Sequence, residues 1–166
     1  MTGQAVIATI QANDAITTLA RMHEFGVDPS QLAAVLSGII SQRLLRTLCP
    51  ECKRSLDISE YEKAVFAAYS VKAPLRLYVP RGCKDCSMTG YRGRLAIHEL
   101  MPVTADVAEL IGQRANSAKI RQAAAQLGFV TLQRRALESV AFGEASFGDA
   151  QRHVAFDVDV RKIRDN

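Results

Sequence analysis

The chain has 166 residues, 48% of them hydrophobic and 23% charged. That is enough for one domain, or a domain and a small module, with a real core, and it excludes a disordered acidic tail or a collagen-like repeat. Lys and Arg total 21 against 17 Asp and Glu, a formal +4 that suits phosphates, nucleic acid or an acidic protein about equally. Polar residues break every long apolar run and the N-terminus lacks a signal-peptide pattern, so the expectation is a soluble, intracellular chain. Without Trp, and with aromatics at 6%, a stacking platform for single-stranded nucleic acid starts at a disadvantage.

In chain order, Ala5–Ile10 is a β-branched run that reads as a buried strand. Asn13 or Asp14 caps a helix carrying Ile16, Leu19, Ala20 and Met22, and Gly26 fits the position that ends it. Asp28 as N-cap, Pro29 in the first turn and Gln31 in a capping box restart a helix. Leu32, Val35, Leu36, Ile39, Ile40 and Leu44 continue at helical spacing, with Gln42, Arg43 and Arg46 placed to oppose the dipole near its end.

Two C-x-x-C pairs follow, Cys49-Pro50-Glu51-Cys52 and Cys83-Lys84-Asp85-Cys86, and no cysteine is left over. Two residues between thiolates let one tight turn aim both sulfurs at a single ion, and two such turns complete a tetrahedral S₄ shell that suits Zn²⁺. Lys53, Arg54, Arg81 and Lys84 flank the pairs and would offset the formal −2 of such a site. The 30 intervening residues exceed the usual zinc spacing of about 15–20. Disulfides suit a chain without an export signal poorly, and a redox motif needs only one pair. A closed structural zinc is the reading adopted, since four thiolates leave no open position for catalysis.

Between the pairs, Ser59-Glu60-Tyr61-Glu62 is a capping box opening a helix to about Tyr69, and Leu75, Leu77 and Val79 alternate as a short strand. Met88–Arg94 is a basic, turn-rich segment, and Leu95–Met101 a strand. The remainder is helical: Thr104 caps Asp106–Ile111, Ser117 starts a helix to Leu127, Thr131–Phe142 stops at Gly143, and Ser146 starts a last short helix. Asp157–Asn166 is expected to fray. His23 and His153 read as solvent-facing, and His98 as a structural hydrogen-bonding residue. No P-loop, G-x-S-x-G or H-E-x-x-H occurs, so the residues describe a zinc-stapled α/β domain without a self-contained active site.

Ala8–Ala15, Gly26-Val27, Ser41–Cys52 and Gly82–Leu100, with its T-G-Y-R-G-R continuation, occur in this order. Together they resemble the C-terminal portion of the tetracysteine secretion ATPases that drive type II secretion and type IV pilus assembly, over nearly the whole chain. The resemblance implies an α+β fragment: the end of a RecA-like P-loop core (1–48), an inserted Cys₄ zinc subdomain (49–101), a C-terminal helical subdomain (102–156) and a tail (157–166). It implies that Cys49, Cys52, Cys83 and Cys86 hold structural Zn²⁺. It also implies a cytoplasmic homo-hexamer, peripheral at the inner membrane, whose partners are neighbouring subunits and platform proteins, with no nucleic acid. ATP and Mg²⁺ would be bound only by the full-length parent, whose Walker elements lie upstream, so this chain alone is expected to be inactive. The family's histidine box falls on Ile10–Ala15, with Gln11 where histidine is expected and Gln4 where another is common. Glutamine can hydrogen-bond toward a phosphate but cannot titrate. The contrasting expectation is a stand-alone zinc-ribbon module binding nucleic acid through its positive charge.

Overall fold

The computed structural model describes residues 3–158, and its elements are α-helices and two small sheets, an α+β architecture. The helices are α1 (Ala15–Glu24), α2 (Pro29–Val35), α3 (Glu60–Ala68), α4 (Ala105–Gly112), α5 (Ser117–Gln126), α6 (Leu132–Ala141) and α7 (Phe147–His153). The strands are β1 (Gly38–Leu48), β2 (Arg54–Asp57), β3 (Arg76–Val79) and β4 (Tyr91–Pro102). β1 pairs with β4, and β2 runs antiparallel to β3 with Arg54 opposite Val79 and Asp57 opposite Arg76. The chain divides into two compact units, one of residues 1–41 and 100–129, the other of residues 42–99 and 130–166.

In the first unit, α1, α2, α4 and α5 contribute Ile16, Leu19, Leu32, Val107, Ile111 and Ile120 to one apolar cluster. The helix starts follow the sequence closely. Asp14 accepts the Thr17 N–H at 2.6 Å while the Thr17 hydroxyl takes the Asp14 N–H, a complete capping box. Asp28 caps α2 by accepting from the N–H groups of Ser30 and Gln31, so Gln31 serves through its backbone. Asn116, one residue before the expected Ser117, caps α5. Thr104 is the cap residue of α4, but its hydroxyl is buried without a partner among the described residues.

Two expectations fail here. The helix drawn through Leu44 ends at Val35, and β1 begins at Gly38. The run Gly38-Ile39-Ile40 joins a helix-poor glycine to two β-branched side chains, and pairing with β4 satisfies that backbone where helical spacing alone does not. Residues 5–10 form no strand, and Val6 and Ile7 are exposed. A strand needs a neighbour for its hydrogen bonds, and none stands beside this run among the described residues.

In the second unit, Leu45 of β1, Val65 and Phe66 of α3, Leu77 of β3 and Ile97 of β4 share one cluster with Leu137 and Val140 of α6 and Phe147 of α7. The largest fully buried side chain of the spacer between the cysteine pairs, Phe66, lies in the same cluster as Leu137 and Val140 of α6. Ser59 and Glu62 form the expected capping box, with the Glu62 carboxylate accepting the Ser59 N–H at 2.8 Å. β2 was not anticipated, and β4 begins at Tyr91, inside the segment read as a turn. Most of the tail expected to fray, residues 159–166, lies outside the described residues.

Candidate metal centre

Two backbone knuckles build the thiol cluster. In the first, which follows directly on β1, the Cys49 carbonyl accepts the Lys53 N–H at 3.0 Å. In the second, Lys84–Cys86 form a single 3₁₀ turn, and the Cys83 carbonyl accepts the Met88 N–H at 2.8 Å. Ser87 and Met88 turn the chain through the left-handed region with φ of 51° and 62°. The Cys49 N–H donates to the Gly90 carbonyl at 3.0 Å and ties the knuckles together. Gly90 is required at its position. It has φ +77°, and a Cβ there would stand 2.4 Å from Pro80 Cβ. At Gly82 a Cβ would meet the Met88 carbonyl oxygen at 2.6 Å.

The four Sγ atoms lie within 4.8 Å of one another. Cys49 to Cys83 is 3.9 Å, Cys52 to Cys86 is 3.8 Å and Cys83 to Cys86 is 3.7 Å. A Zn–S bond of about 2.3 Å in a regular tetrahedron gives an S···S edge of about 3.8 Å, so these spacings fit a tetrahedral metal. Disulfide sulfurs would lie about 2.05 Å apart, and all four cysteines are free. Backbone amides aim at the sulfurs: Cys83 and Gly90 N–H groups donate to Cys86 Sγ, both at 3.2 Å, and Gly82 N–H to Cys52 Sγ at 3.3 Å. Such donors stabilise thiolates.

Burial and hydrogen bonding act differently on Cys49, Cys83 and Cys86 in the bare cluster. Burial acts to raise the Cys86 thiol, but the N–H bonds from Cys83 and Gly90 win and bring it down to about 6. At Cys83 a backbone hydrogen bond acts to lower the thiol, while burial and the neighbouring sulfurs outweigh it and push it up to about 12. Burial also raises Cys49. A dication among the sulfurs inverts this balance, because its charge favours every thiolate at once. Four buried or half-buried sulfurs within 4.8 Å of one another, three of their edges near the tetrahedral length, can therefore hold one soft divalent ion such as zinc.

Of the flanking cations expected to offset the charge, Lys53 is committed elsewhere. Its Nζ donates to the Gly143 carbonyl at 2.7 Å and sits 4.7 Å from the Tyr78 ring centroid. Gly143 has no room for a side chain, since a Cβ would lie 2.6 Å from that ring. Nearby, the Tyr91 hydroxyl pairs with Ser146 Oγ at 3.0 Å. These contacts fix the knuckles against the end of α6 and the start of α7.

Sequence reasoning missed a second polar constellation. Arg46, read as a helix-end cation, lies on β1, where Asp149 Oδ1 accepts from its Nε and Oδ2 from its backbone N–H, both at 2.7 Å. That hydrogen bond and the Asp149 charge raise the Arg46 pKa further. Its guanidinium also lies 3.9 Å from the Tyr91 ring centroid. The two partners are 103 residues apart, and no local signal links them. Glu99, also fully buried, accepts the Leu132 N–H at 3.0 Å and so satisfies the start of α6. His98 is exposed, and His153 Nδ1 lies 2.9 Å from the Asp149 carbonyl. His23, expected to face solvent, is half-buried with its Nδ1 enclosed. Gln11 is exposed in the segment before α1.

Residues 1–152 match the family described as "Type II/IV secretion system protein". The chain belongs to that family. It is 34% identical to "Type IV pilus assembly ATPase TfpB" of Acinetobacter baylyi over 93% of its own length and 26% of that protein's. It is 33% identical to "Type IV pilus assembly ATPase PilB" of Myxococcus xanthus, over 95% of this chain and 28% of the relative. With "Type II secretion system ATPase E" of Vibrio cholerae the identity is 38% over 69% of this chain and 23% of the relative. The chain thus spans about a quarter of the length of these relatives. Among the described residues, no helix is long and apolar enough to cross a membrane.

Proposed function

We propose that the chain is the C-terminal part of a hexameric ATPase that powers type II secretion or type IV pilus assembly. In it, Cys49, Cys52, Cys83 and Cys86 hold one structural Zn²⁺. The observation that carries the metal assignment is four sulfurs gathered within 4.8 Å of one another, with three S···S distances of 3.7–3.9 Å close to the edge length of a tetrahedral Zn–S₄ site. When bound, the ion supplies a closed crosslink and no reactive position. The residues around it orient the sulfurs through N–H donors and exclude water by burial.

In the assembled protein, residues 1–48 complete the motor core, 49–101 form the zinc subdomain and 102–156 the helical subdomain. Their roles are contact with neighbouring subunits and transmission to platform proteins at the cytoplasmic face of the inner membrane. Gln11 stands at the position of the family histidine box, where its amide can reach toward a phosphate without exchanging a proton. Phosphoryl transfer needs positioned phosphates, Mg²⁺ and an oriented water, and this chain has no P-loop to supply them. The test is ATP turnover in two preparations. The isolated chain turns over no ATP, and a complete protein carrying it loses zinc, hexamer and turnover together on Cys83→Ser. Turnover by the isolated chain at the rate of a complete motor overturns the reading, as does a zinc-free variant with unchanged assembly and rate.

A further inference from the structure

Beyond α7 the chain leaves helical structure, and residues 155–158 reach the end of α3. There the Asp157 N–H donates to the Tyr69 hydroxyl at 3.0 Å, across 88 residues of sequence. One residue earlier, the Phe156 ring touches two others. It stacks on Phe147 of α7, with centroids 5.6 Å apart and planes 22° apart, and meets the Tyr69 ring edge-on at 5.7 Å. Phe147 also meets Tyr61 of α3 edge-on at 6.2 Å, and the Tyr61 hydroxyl accepts from Gln151 Nε2 at 3.3 Å. The seat of Phe156 is therefore built from α3 and α7 together.

Seat and occupant are held very differently. Phe147 is only 7% exposed and belongs to the apolar cluster of the second unit. Val154 is buried too, and its N–H closes α7 on the Ala150 carbonyl at 2.9 Å. From there on Ala155 and Asp157 are exposed, while Phe156 and Val158 are half-buried. The backbone of 155–158 belongs to no helix or strand, and the Val158 N–H turns back to the Phe156 carbonyl at 3.1 Å. A segment with few buried contacts and no ladder opens locally, well below the cost of global unfolding. Its stacked and edge-on ring contacts nonetheless select an aromatic side chain over an aliphatic one.

We propose that Tyr69 and Phe147, with Tyr61 behind Phe147, form a docking groove for a short non-helical segment. The groove recognises one aromatic side chain followed by a backbone N–H that the Tyr69 hydroxyl accepts. Its occupant is the chain's own 155–158, a releasable strap joining α3 to α7. Nothing in the proposal depends on the metal.

The test supplies the strap in trans. Full-length, zinc-loaded Phe156→Ala chain, whose own strap has lost its anchor, is titrated calorimetrically with a peptide of residues 155–166. A short tether holds a segment at roughly millimolar effective concentration. A strap closed about a hundred to one then corresponds to a dissociation constant of about 10 μM for the free peptide. The expected result is saturable one-to-one binding near that value. It should weaken about tenfold when the peptide itself carries Phe156→Ala, and about fivefold when the receptor also carries Tyr69→Phe, which keeps the ring and removes the acceptor. The parent chain, its groove filled, should bind about a hundredfold more weakly than the Phe156→Ala chain. Circular dichroism of the variants should match the parent, because Phe156 lies outside every helix. Absence of binding to the Phe156→Ala chain overturns the proposal, as does equal binding of the two peptides. A parent chain that binds the peptide as tightly as the variant shows that 155–158 do not fill the groove, and overturns it as well. A parent chain that sediments as a dimer and becomes monomeric on Phe156→Ala overturns it in favour of a strap exchanged with a second copy.

Discussion

The two units reach stability by different means. In the first, the polar contacts that shape helices are local: Asp14 with Thr17, Asp28 with Ser30 and Gln31, Asn116 with Lys119. Its interior is an apolar cluster. The second has a comparable apolar cluster but adds polar bonds between residues far apart in sequence. Cys49 and Cys83 are 34 residues apart, Lys53 and Gly143 are 90, and Arg46 and Asp149 are 103. To burial and caps the first unit adds a loose Arg121–Asp14 pair at 3.9 Å, whereas the second adds closer long-range links, such as Lys53–Gly143 and Arg46–Asp149 at 2.7 Å. Losing one such link should therefore matter in the second unit far more than a surface contact matters in the first.

Metal removal separates them most strongly. Structural zinc sites in small modules are worth roughly 10–16 kcal/mol of binding free energy, much of it folding free energy. Chelation should abolish hydrogen-exchange protection at Leu45 and Ile97 and leave Leu19 and Val107 protected. Equal loss in both units would break the comparison. The reciprocal perturbation is Leu19→Ala, which empties a buried site and should cost the first unit about 2–5 kcal/mol in denaturant unfolding. Zinc stoichiometry should not change, and a variant that loses its metal would show that the units fold as one.

Asp149→Asn tests the long-range polar link. Arg46 is 41% exposed while Asp149 is fully buried, so the loss falls below the figure for a completely buried pair, at about 1–3 kcal/mol. Chemical denaturation should register it in the second unit alone. The smallest effect belongs to the caps. Asn116→Ala in the first unit and Ser59→Ala in the second should each cost about 1 kcal/mol. A much larger cost at Ser59 would mean that α3 contributes to metal retention through its start, a refinement that zinc affinity measured on the same variant would check.

What could be read in advance follows the same division. Asp14, Asp28, Ser59, Thr131 and Ser146 announce helix starts because a cap is a contact between near neighbours. The cysteine pairs announce a cluster because their chemistry restricts their use, even at 30 residues' separation. The failures lie where distant partners decide. Leu32–Leu44 carries helical spacing, yet β4 draws Gly38 onward into a strand. Ala5–Ile10 has strand composition and no neighbouring strand among the described residues. Arg46 has no sequence signal pointing to Asp149, and the two meet only because the fold brings β1 and α7 together.

The central claim is that four sulfurs hold one zinc ion, around which the second unit is organised. X-ray absorption at the zinc edge, with metal content measured on the same purified chain, tests it most directly. The account predicts one zinc per chain with four sulfur neighbours at about 2.3 Å. A folded chain without metal and with four freely reactive thiols would contradict it, as would zinc bound mainly through nitrogen or oxygen.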